Sequence, residues 1–454
     1  MKVAPQVIAS NDSRVVVGLG ATGLSCARYL YARKLPFCVV DTRAQPPGLD
    51  ELQREMPEVQ VYTANYPREL VAHASELVVS PGIAMDAPIV SQALAAGVAV
   101  VGDIDLFMRE AAAPVVGITG SNAKSTVTEL FGQMARDAHL NVGVGGNLGT
   151  PSLELLAPDR ELYVLELSSF QLERAAALQL AVATVLNVSP DHLDRHGSMR
   201  GYHQAKHRIF QGCQKVVVNR DDPLTIPLLN VDVDVIGWCM REPDKGDFGL
   251  REQGGVEYLC FGSEQLLSAQ DLNLQGRHNV ANALAALALG RSVGLPLAGM
   301  KETLLDFKGL PHRCEVVARK DGVRFVNDSK GTNIGAAEAA LCGLGGDRDI
   351  LLIAGGQGKG ADFSQLQAAV EQHCKLLILI GEDAPLLQHA LGASAPVALA
   401  SSMEEAVTLA IAESSPGDTV LLSPACASFD MFTGYVQRGD VFRKAVQQLV
   451  QERK

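Results

Sequence analysis

The sequence predicts an α/β protein of three domains, each built on a mainly parallel sheet, and three observations carry that prediction. Short apolar and β-branched runs alternate with amphipathic helical stretches along most of the 454 residues, as strands joined by helical crossovers do. The alternation restarts twice, so 1–102, 103–309 and 310–454 read as separate domains with boundaries near Gly102 and Gly309. In each block, glycine-rich or polar stretches directly follow apolar runs, and the C-terminal edge of such a sheet is where these folds hold ligands.

Lysine and arginine number 39 against 51 acidic residues, a net charge of −12. That balance argues against nucleic acid or an anionic membrane as the main partner and leaves room for a local basic pocket. No apolar run is long enough to span a bilayer, and the opening MKVAPQVIASND lacks the apolar core of a secretory signal. Nine cysteines are scattered with no C-x-x-C pair. Reduced thiols in the cytoplasm are expected, without a zinc or redox centre.

In the first block the strands are VVVGLG (15–20), FCVVD (37–41) and LVVSPG (77–82). Gly18-x-Gly20-x-x-Gly23 lies between a strand and a helix, and Asp41 ends the next strand. Glycines there let the backbone approach a diphosphate, which the helix N-terminus then holds by its free amides and dipole. A dinucleotide, another diphosphate such as a nucleotide-sugar, and a plain structural turn all fit this Rossmann-like unit.

The second block opens with the strand VVGIT (115–119) and continues through YVLELSS (163–169), ATVLNVS (183–189) and KVVVN (215–219). The first strand runs into GITGSNAKSTVTEL, which reads as a phosphate loop entering a helix. Ile118 and Ala123 stand where the strict pattern has glycine. Gly120, Ser121, Asn122, Ala123 and Thr126 would form the cradle, Lys124 would bridge phosphates and Ser125 would reach Mg²⁺. If position 123 needs a positive φ, alanine costs about 1–2 kcal/mol there. Glu166, inside an apolar strand, is expensive unless paired, and a metal ion would pair it. Beyond the next strand, NVSPDHLDRHGSMRGYHQAKHRIF gathers His192, Asp194, His196, His203, Lys206 and His207. Any one of these histidines alone reads as structural; together they suggest a site. From about 231 to 275, short pieces between glycine and charged turns predict a small antiparallel insertion in this P-loop-like domain. GRHNVANALAALALGRSVGLP predicts a helix stopped by Gly294 and Pro296.

The third block, a second Rossmann-like unit, has the strands VRFVND (323–328), DILLIAGG (349–356), LLILIGE (376–382) and DTVLLSP (418–424). His312 and Arg313 precede them. NDSKGTN, GGQGKGADFS and SPACASFD follow strands, and three polar loops off one sheet point to a site.

These stretches together resemble the Mur ligases of bacterial cell-wall synthesis, and within them the D-glutamate-adding branch. The resemblance covers nearly the whole chain. It rests on GITGSNAKST, GGNLG, LELSSFQL, NVSPDHLDRH, YHQAK, GRHNVANALAA, LPHRCE, NDSKGTN, GGQGKGADF and SPACASFDMF in that order. The Asp-Asn-Pro-Arg motif of the diaminopimelate-adding relatives is absent.

The resemblance implies an ATP-dependent amide ligase that works through an acyl phosphate. Its substrates would be UDP-N-acetylmuramoyl-L-alanine and D-glutamate, and a cytoplasmic monomer is expected. Leu19, Gly20, Ala21, Thr22, Thr42, Arg43 and Gly82 would then line a UDP site, with Asn147 at the muramoyl group. Lys124 and Ser125 would hold ATP phosphates, Asn282 the adenine, and Arg313 and Asp328 would complete the nucleotide site. Ser125, Glu166, His192 and Lys206 would organise two Mg²⁺ ions, Lys206 as a carbamate made with CO₂. Lys330, Thr332, Lys359 and Ser428 would take the D-glutamate carboxylates, beside Tyr435, where the family usually has phenylalanine. Lys124, Asn147, His192 and Lys206 are thus the candidate catalytic residues. The rival readings are a nicotinamide dehydrogenase built on the first glycine turn and a nucleotide-sugar binding protein without ATP turnover.

Overall fold

The computed structural model describes residues 13–452 except 177, 229–232 and 275; the opening stretch read for a secretory signal lies outside them. Three sheets follow one another along the chain. The first has five parallel strands, Arg14–Val17, Phe37–Asp41, Val61–Thr63, Glu76–Val79 and Ala99–Val101, in the spatial order 3-2-1-4-5. The chain winds outward on one side of the first strand and resumes on the other, which leaves a crevice between the ends of Arg14–Val17 and Glu76–Val79. The glycine turn and the loop 80–83 both open into it.

The central sheet has nine strands. Val115–Thr119 lies between Leu162–Glu166 and Val182–Val185, all parallel and wholly buried, so their continuous apolar runs are what a sheet covered on both faces requires. Lys215–Asn219 and Asp234–Trp238 extend it in parallel, and only Phe248–Gln253, Val256–Phe261 and Glu264–Ser268 form antiparallel hairpins. The expected insertion is therefore smaller than 231–275: Asp234–Trp238 is a regular parallel strand, and the hairpins continue the same sheet. The glycine and charged turns that signal hairpins begin only after Trp238, whereas DVIGW reads as one more parallel run. Residues 231–232 and 275 of that stretch lie outside the described residues.

Arg277–Ser292 is the expected Ala-rich helix. It ends just before Gly294, whose φ is +86°, and packs against the helix Lys124–Asp137. The third sheet pairs Glu315–Lys320 antiparallel with Val323–Asn327 and is parallel through Thr419–Leu422, Ile350–Gly355, Cys374–Ile380 and Val397–Leu399. Cutting near Gly102 and Gly309 leaves one sheet in each part. Yet Asp103–Glu110 packs into a core shared by the first two sheets, with the Phe107 ring edge-on to Tyr163 at 5.0 Å. The nine cysteines are free, and among the described residues no helix is long and apolar enough to cross a membrane.

Candidate active site

At the N-terminal turn, Gly18 has φ +89°, and a Cβ on Gly23 would lie 1.8 Å from the Gly18 carbonyl oxygen, so the crossing requires glycine at both positions. The helix Ala21–Ala32 starts at Gly20 with no side-chain cap, which leaves its first amides near Ala21 and Thr22 open to an anion. Asp41 accepts the Leu19 amide at 2.7 Å and hydrogen bonds from the Arg43 amide and guanidinium at 2.7–2.9 Å. Burial raises the Asp41 pKa, but these bonds outweigh it and hold it at about 2. A dinucleotide site uses this acid for a ribose hydroxyl; here it is 3% exposed and sealed onto its own turn. Thr42, Arg43 and Gly82 are exposed around the crevice.

In the central loop Ala123 adopts φ +65°, so the strain foreseen for it is real. The loop is held by its surroundings. Asn187 accepts the Ser121 amide on its carbonyl and the Asn122 amide on its side chain, and the Ser121 hydroxyl donates to the Ser189 carbonyl at 2.9 Å. Lys124 opens the helix Lys124–Asp137 and donates to the Gly120 and Ser121 carbonyls, both at 2.9 Å. Ser125, one residue on, donates to Glu166, and Asn147 donates to the other Glu166 oxygen at 2.7 Å. Lys206 is 1% exposed; its ammonium donates to Gly120 at 2.7 Å and sits 4.4 Å over the Tyr202 ring. Burial, and the second ammonium of Lys124, push the Lys206 pKa well below the usual lysine value; burial lowers that of Lys124 too.

These residues line a cavity of about 270 Å³ with Asp191, His192, Phe170 and, from the third sheet's loops, Arg313, Lys330, Thr332 and Asn333. Arg313 donates to Ser125, and Asn333 donates to Asn122 at 3.2 Å and Asp191 at 3.0 Å, so the C-terminal part closes the central loop. Burial lowers the Lys330 pKa to about 8, helped by Arg313 and Lys124; its ammonium lies 4.1 Å over the Tyr435 ring. His192, with φ +53°, has its Nε2 3.6 Å from Asp191, and burial lowers its pKa.

A neighbouring cavity of about 240 Å³ is lined by Thr126, Asn282, Arg313, Asp328, Lys330 and Trp238, among others. Asn282 donates to Asn279 at 3.0 Å. Asp328 accepts the Ser423 hydroxyl at 2.8 Å and the Cys314 amide at 3.2 Å, and burial raises its pKa to about 6.

The histidine cluster divides. His203 and His207 both contact the Leu224 carbonyl, and His196 contacts the Ser169 hydroxyl, so of this cluster's histidines only His192 lines the larger of these two cavities. Lys359, Ser428 and Tyr435 are not among the cavity's lining residues, although the Lys359 charge reaches His192. Asp191, Tyr202 and Phe170 lie inside NVSPDHLDRH, YHQAK and LELSSFQL, and Asn333 ends the polar loop NDSKGTN, yet none carries an individual role in the sequence reading; their place within those motifs is the available signal.

The donor set suits a hard cation. Glu166 is 2% exposed and touches Ser125, which puts a carboxylate and a hydroxyl together at the loop. Among the described residues no three His, Cys, Asp or Glu side chains gather into a metal cage. One carboxylate completed by phosphate oxygens is the manner of Mg²⁺.

Family models match the chain in three stretches: the Mur ligase MurD-like N-terminal domain over 12–102, the Mur ligase middle domain over 118–290, and the Mur ligase glutamate ligase domain over 312–426. UDP-N-acetylmuramoylalanine–D-glutamate ligase of Pseudomonas aeruginosa is 53% identical over 98% of this chain and 99% of its own. That of Hahella chejuensis is 50% identical over 98% and 100%. Among solved structures, a pseudomurein peptide ligase type C from Methanothermus fervidus shares the fold, with a TM-score of 0.62 at 18% identity over 96% of this chain and 100% of that one. UDP-N-acetylmuramate-alanine ligase from Thermotoga maritima does so with 0.59 at 17%, over 96% and 99%. A glycine turn whose acid is sealed, a lysine loop facing a buried carboxylate and near-complete coverage by these relatives lead to one conclusion: the chain belongs to the Mur ligase family, in the branch of the UDP-N-acetylmuramoylalanine–D-glutamate ligases.

Proposed function

We propose that the protein joins D-glutamate to UDP-N-acetylmuramoyl-L-alanine, with ATP cleaved to ADP and phosphate, as a cytoplasmic monomer in peptidoglycan precursor synthesis. The observation that carries this reading is the shared cavity: Lys124, Ser125 and Glu166 meet Arg313, Lys330 and Thr332 from the C-terminal sheet. The N-terminal turn would hold the UDP diphosphate, with Leu19, Gly20, Ala21, Thr22, Thr42, Arg43 and Gly82 about it. Asn282 and Asp328 would serve the nucleoside of ATP.

The substrate carboxylate attacks the γ-phosphate and forms an acyl phosphate. The amine of D-glutamate then attacks the acyl carbon, and phosphate leaves. Lys124 and Arg313 neutralise the transferring phosphoryl from fixed positions in a buried site, where such charges act most strongly. Asn147 and Ser125 orient Glu166. Ser125, Glu166, His192 and a carbamylated Lys206 would hold Mg²⁺, which when bound neutralises phosphate charge. The carbamate suits Lys206: its buried amine has a depressed pKa, carbamylation needs the neutral amine, and two oxygens sharing one negative charge replace a cation that would repel a metal. The attacking amine must also lose a proton, and His192, as a ligand of Mg²⁺, is not free to take it. Lys330, Thr332, Lys359, Ser428 and Tyr435 would receive D-glutamate.

A panel of amino acids assayed for ADP release with UDP-N-acetylmuramoyl-L-alanine tests the reading. D-glutamate alone should give rapid turnover; equal rates with L-glutamate or diaminopimelate would contradict it. Lys206→Ala should be nearly inactive, with part of the rate restored by acetate or formate. Full activity in that variant would exclude the carbamate.

A further inference from the structure

The first sheet's switch point and the phosphate cavity are joined through one buried side chain. Arg174 follows the one-turn helix Ser169–Leu172, just beyond the strand that carries Glu166, and its side chain is fully buried. Its guanidinium donates to carbonyls of the first domain: Val79 at 3.0 Å, Ser80 at 2.7 Å, Pro81 at 3.2 Å and Ile83 at 2.8 Å. Its Nε donates to the Phe170 carbonyl at 3.0 Å. Gly102, where the chain passes between the two sheets, packs on the stem: a Cβ there would stand 3.1 Å from the Arg174 Cδ.

Each end of this link reaches a site. The loop 80–83 lies against the glycine turn, with the Ser80 hydroxyl donating to the Gly18 carbonyl at 2.9 Å. Phe170 lines the phosphate cavity, and its ring is 4.9 Å from that of His192. We propose that Arg174 is a positioning residue that fixes the spacing between the nucleotide-sugar turn and the phosphoryl-transfer cavity, so that a substrate anchored by its UDP end presents its carboxylate in register with ATP. This rests on the assignment of those two sites made above.

A buried arginine is a weak source of net stability, because desolvating the charge offsets much of what its hydrogen bonds return, although removing it alone would leave the carbonyls of Val79, Ser80, Pro81 and Ile83 without this donor. What it does supply is geometry. A planar fork bonded to three carbonyls of the loop 80–83 and to that of Val79 at the strand end leaves the loop little freedom to shift or turn relative to the central sheet. Arg195 adds a second bond to the Ile83 carbonyl, at 2.8 Å, and pairs with Glu173 beside Arg174. The substrate is held at one end and reacts at the other, so a small change in domain spacing moves the reacting carboxylate off line.

Arg174→Met, which keeps the stem and removes every hydrogen bond, and Arg174→Lys, which keeps the charge, test this. Both are compared with wild type on the UDP-linked substrate and on N-acetylmuramoyl-L-alanine 1-phosphate, which lacks the nucleotide anchor. Wild type should prefer the anchored substrate about 100-fold in kcat/KM. Arg174→Met should lose about tenfold or more in kcat on the anchored substrate, with KM for it and for ATP within about threefold and the truncated substrate within about twofold. Arg174→Lys should recover part of the loss. A preference kept intact in Arg174→Met, or an equal fall on both substrates, would overturn the positioning role. If Arg174→Met shows no cooperative thermal transition, Arg174→Lys decides on the same criteria, with the preference narrowed or kept. A wild type without preference would instead overturn the assignment of the N-terminal turn, and the inference with it.

Discussion

The protein contains two strand–turn–helix units that follow the same backbone logic, the turn at Gly18–Gly23 and the loop at Gly120–Ser125, yet they present different side chains to an anion. Both bring uncapped helix amides to the end of a buried strand. In the first, glycine occupies the tight crossing, and the one nearby acid is consumed by Leu19 and Arg43. In the second, alanine occupies a left-handed position, and the amides face Lys124, Lys206, Glu166 and Arg313. A phosphate-binding turn states only that an anion fits. The side chains from neighbouring strands and the next domain decide whether that anion is held or made to react.

The largest effect should separate the two units. Lys124→Ala should lower the rate of ADP formation by about 10³-fold through loss of phosphoryl stabilisation, while the dissociation constant for the UDP-linked substrate, read by calorimetry, stays within about threefold. A parallel loss of substrate affinity would show that the two units act as one site.

Gly23→Ala tests the crossing. The new Cβ would meet backbone 1.8 Å away, which cannot move aside as a flexible side chain can. A loss of about 3 kcal/mol in stability is expected, together with weakened binding of the UDP-linked substrate. An unchanged melting temperature would mean that the turn is looser than described.

The charge around the second unit can be titrated. Lys330 has a pKa of about 8, so an anion binding beside it must be met by proton uptake at higher pH. Its charged form is complete below that value and lost above it. The KM for D-glutamate should therefore rise by up to about tenfold per pH unit above pH 8, and Lys330→Arg should flatten the rise. A dependence confined to ATP would move Lys330 to the nucleotide.

The smallest effect is expected at Ala123→Gly, the mirror of the crossing test. Relief of about 1 kcal/mol of left-handed strain opposes the greater entropy of glycine in the unfolded chain. The KM for ATP should stay within about threefold. A tenfold loss would show that the alanine methyl, not the backbone shape, matters there.

Much of this was legible in the chain because parallel sheets write themselves as apolar runs ending in glycine or polar loops. The strand ending in Glu166, the lysine loop and the helix Arg277–Ser292 all follow that rule. Edge strands such as Val142–Gly146 and Val397–Leu399 were passed over because the first is broken up by glycines and partly exposed and the second is only three residues long, so their pattern is weak. The histidine-rich segment misled through proximity. His203 and His207 lie one helical turn apart on one face and converge on Leu224, while Lys206 between them reaches Gly120. Arg174 carried no signal at all, because its acceptors in the first domain lie more than ninety residues away in the chain.

On the proposed mechanism, the cavity at Lys124, Glu166 and Arg313 activates a carboxylate by phosphoryl transfer. UDP-N-acetylmuramoyl-L-alanine labelled with ¹⁸O in its alanyl carboxylate tests it most directly, with the phosphate released during turnover with D-glutamate read by mass spectrometry. Each phosphate should contain one ¹⁸O, carried over when the acyl phosphate collapses to the amide. Unlabelled phosphate accompanying full product formation would contradict it.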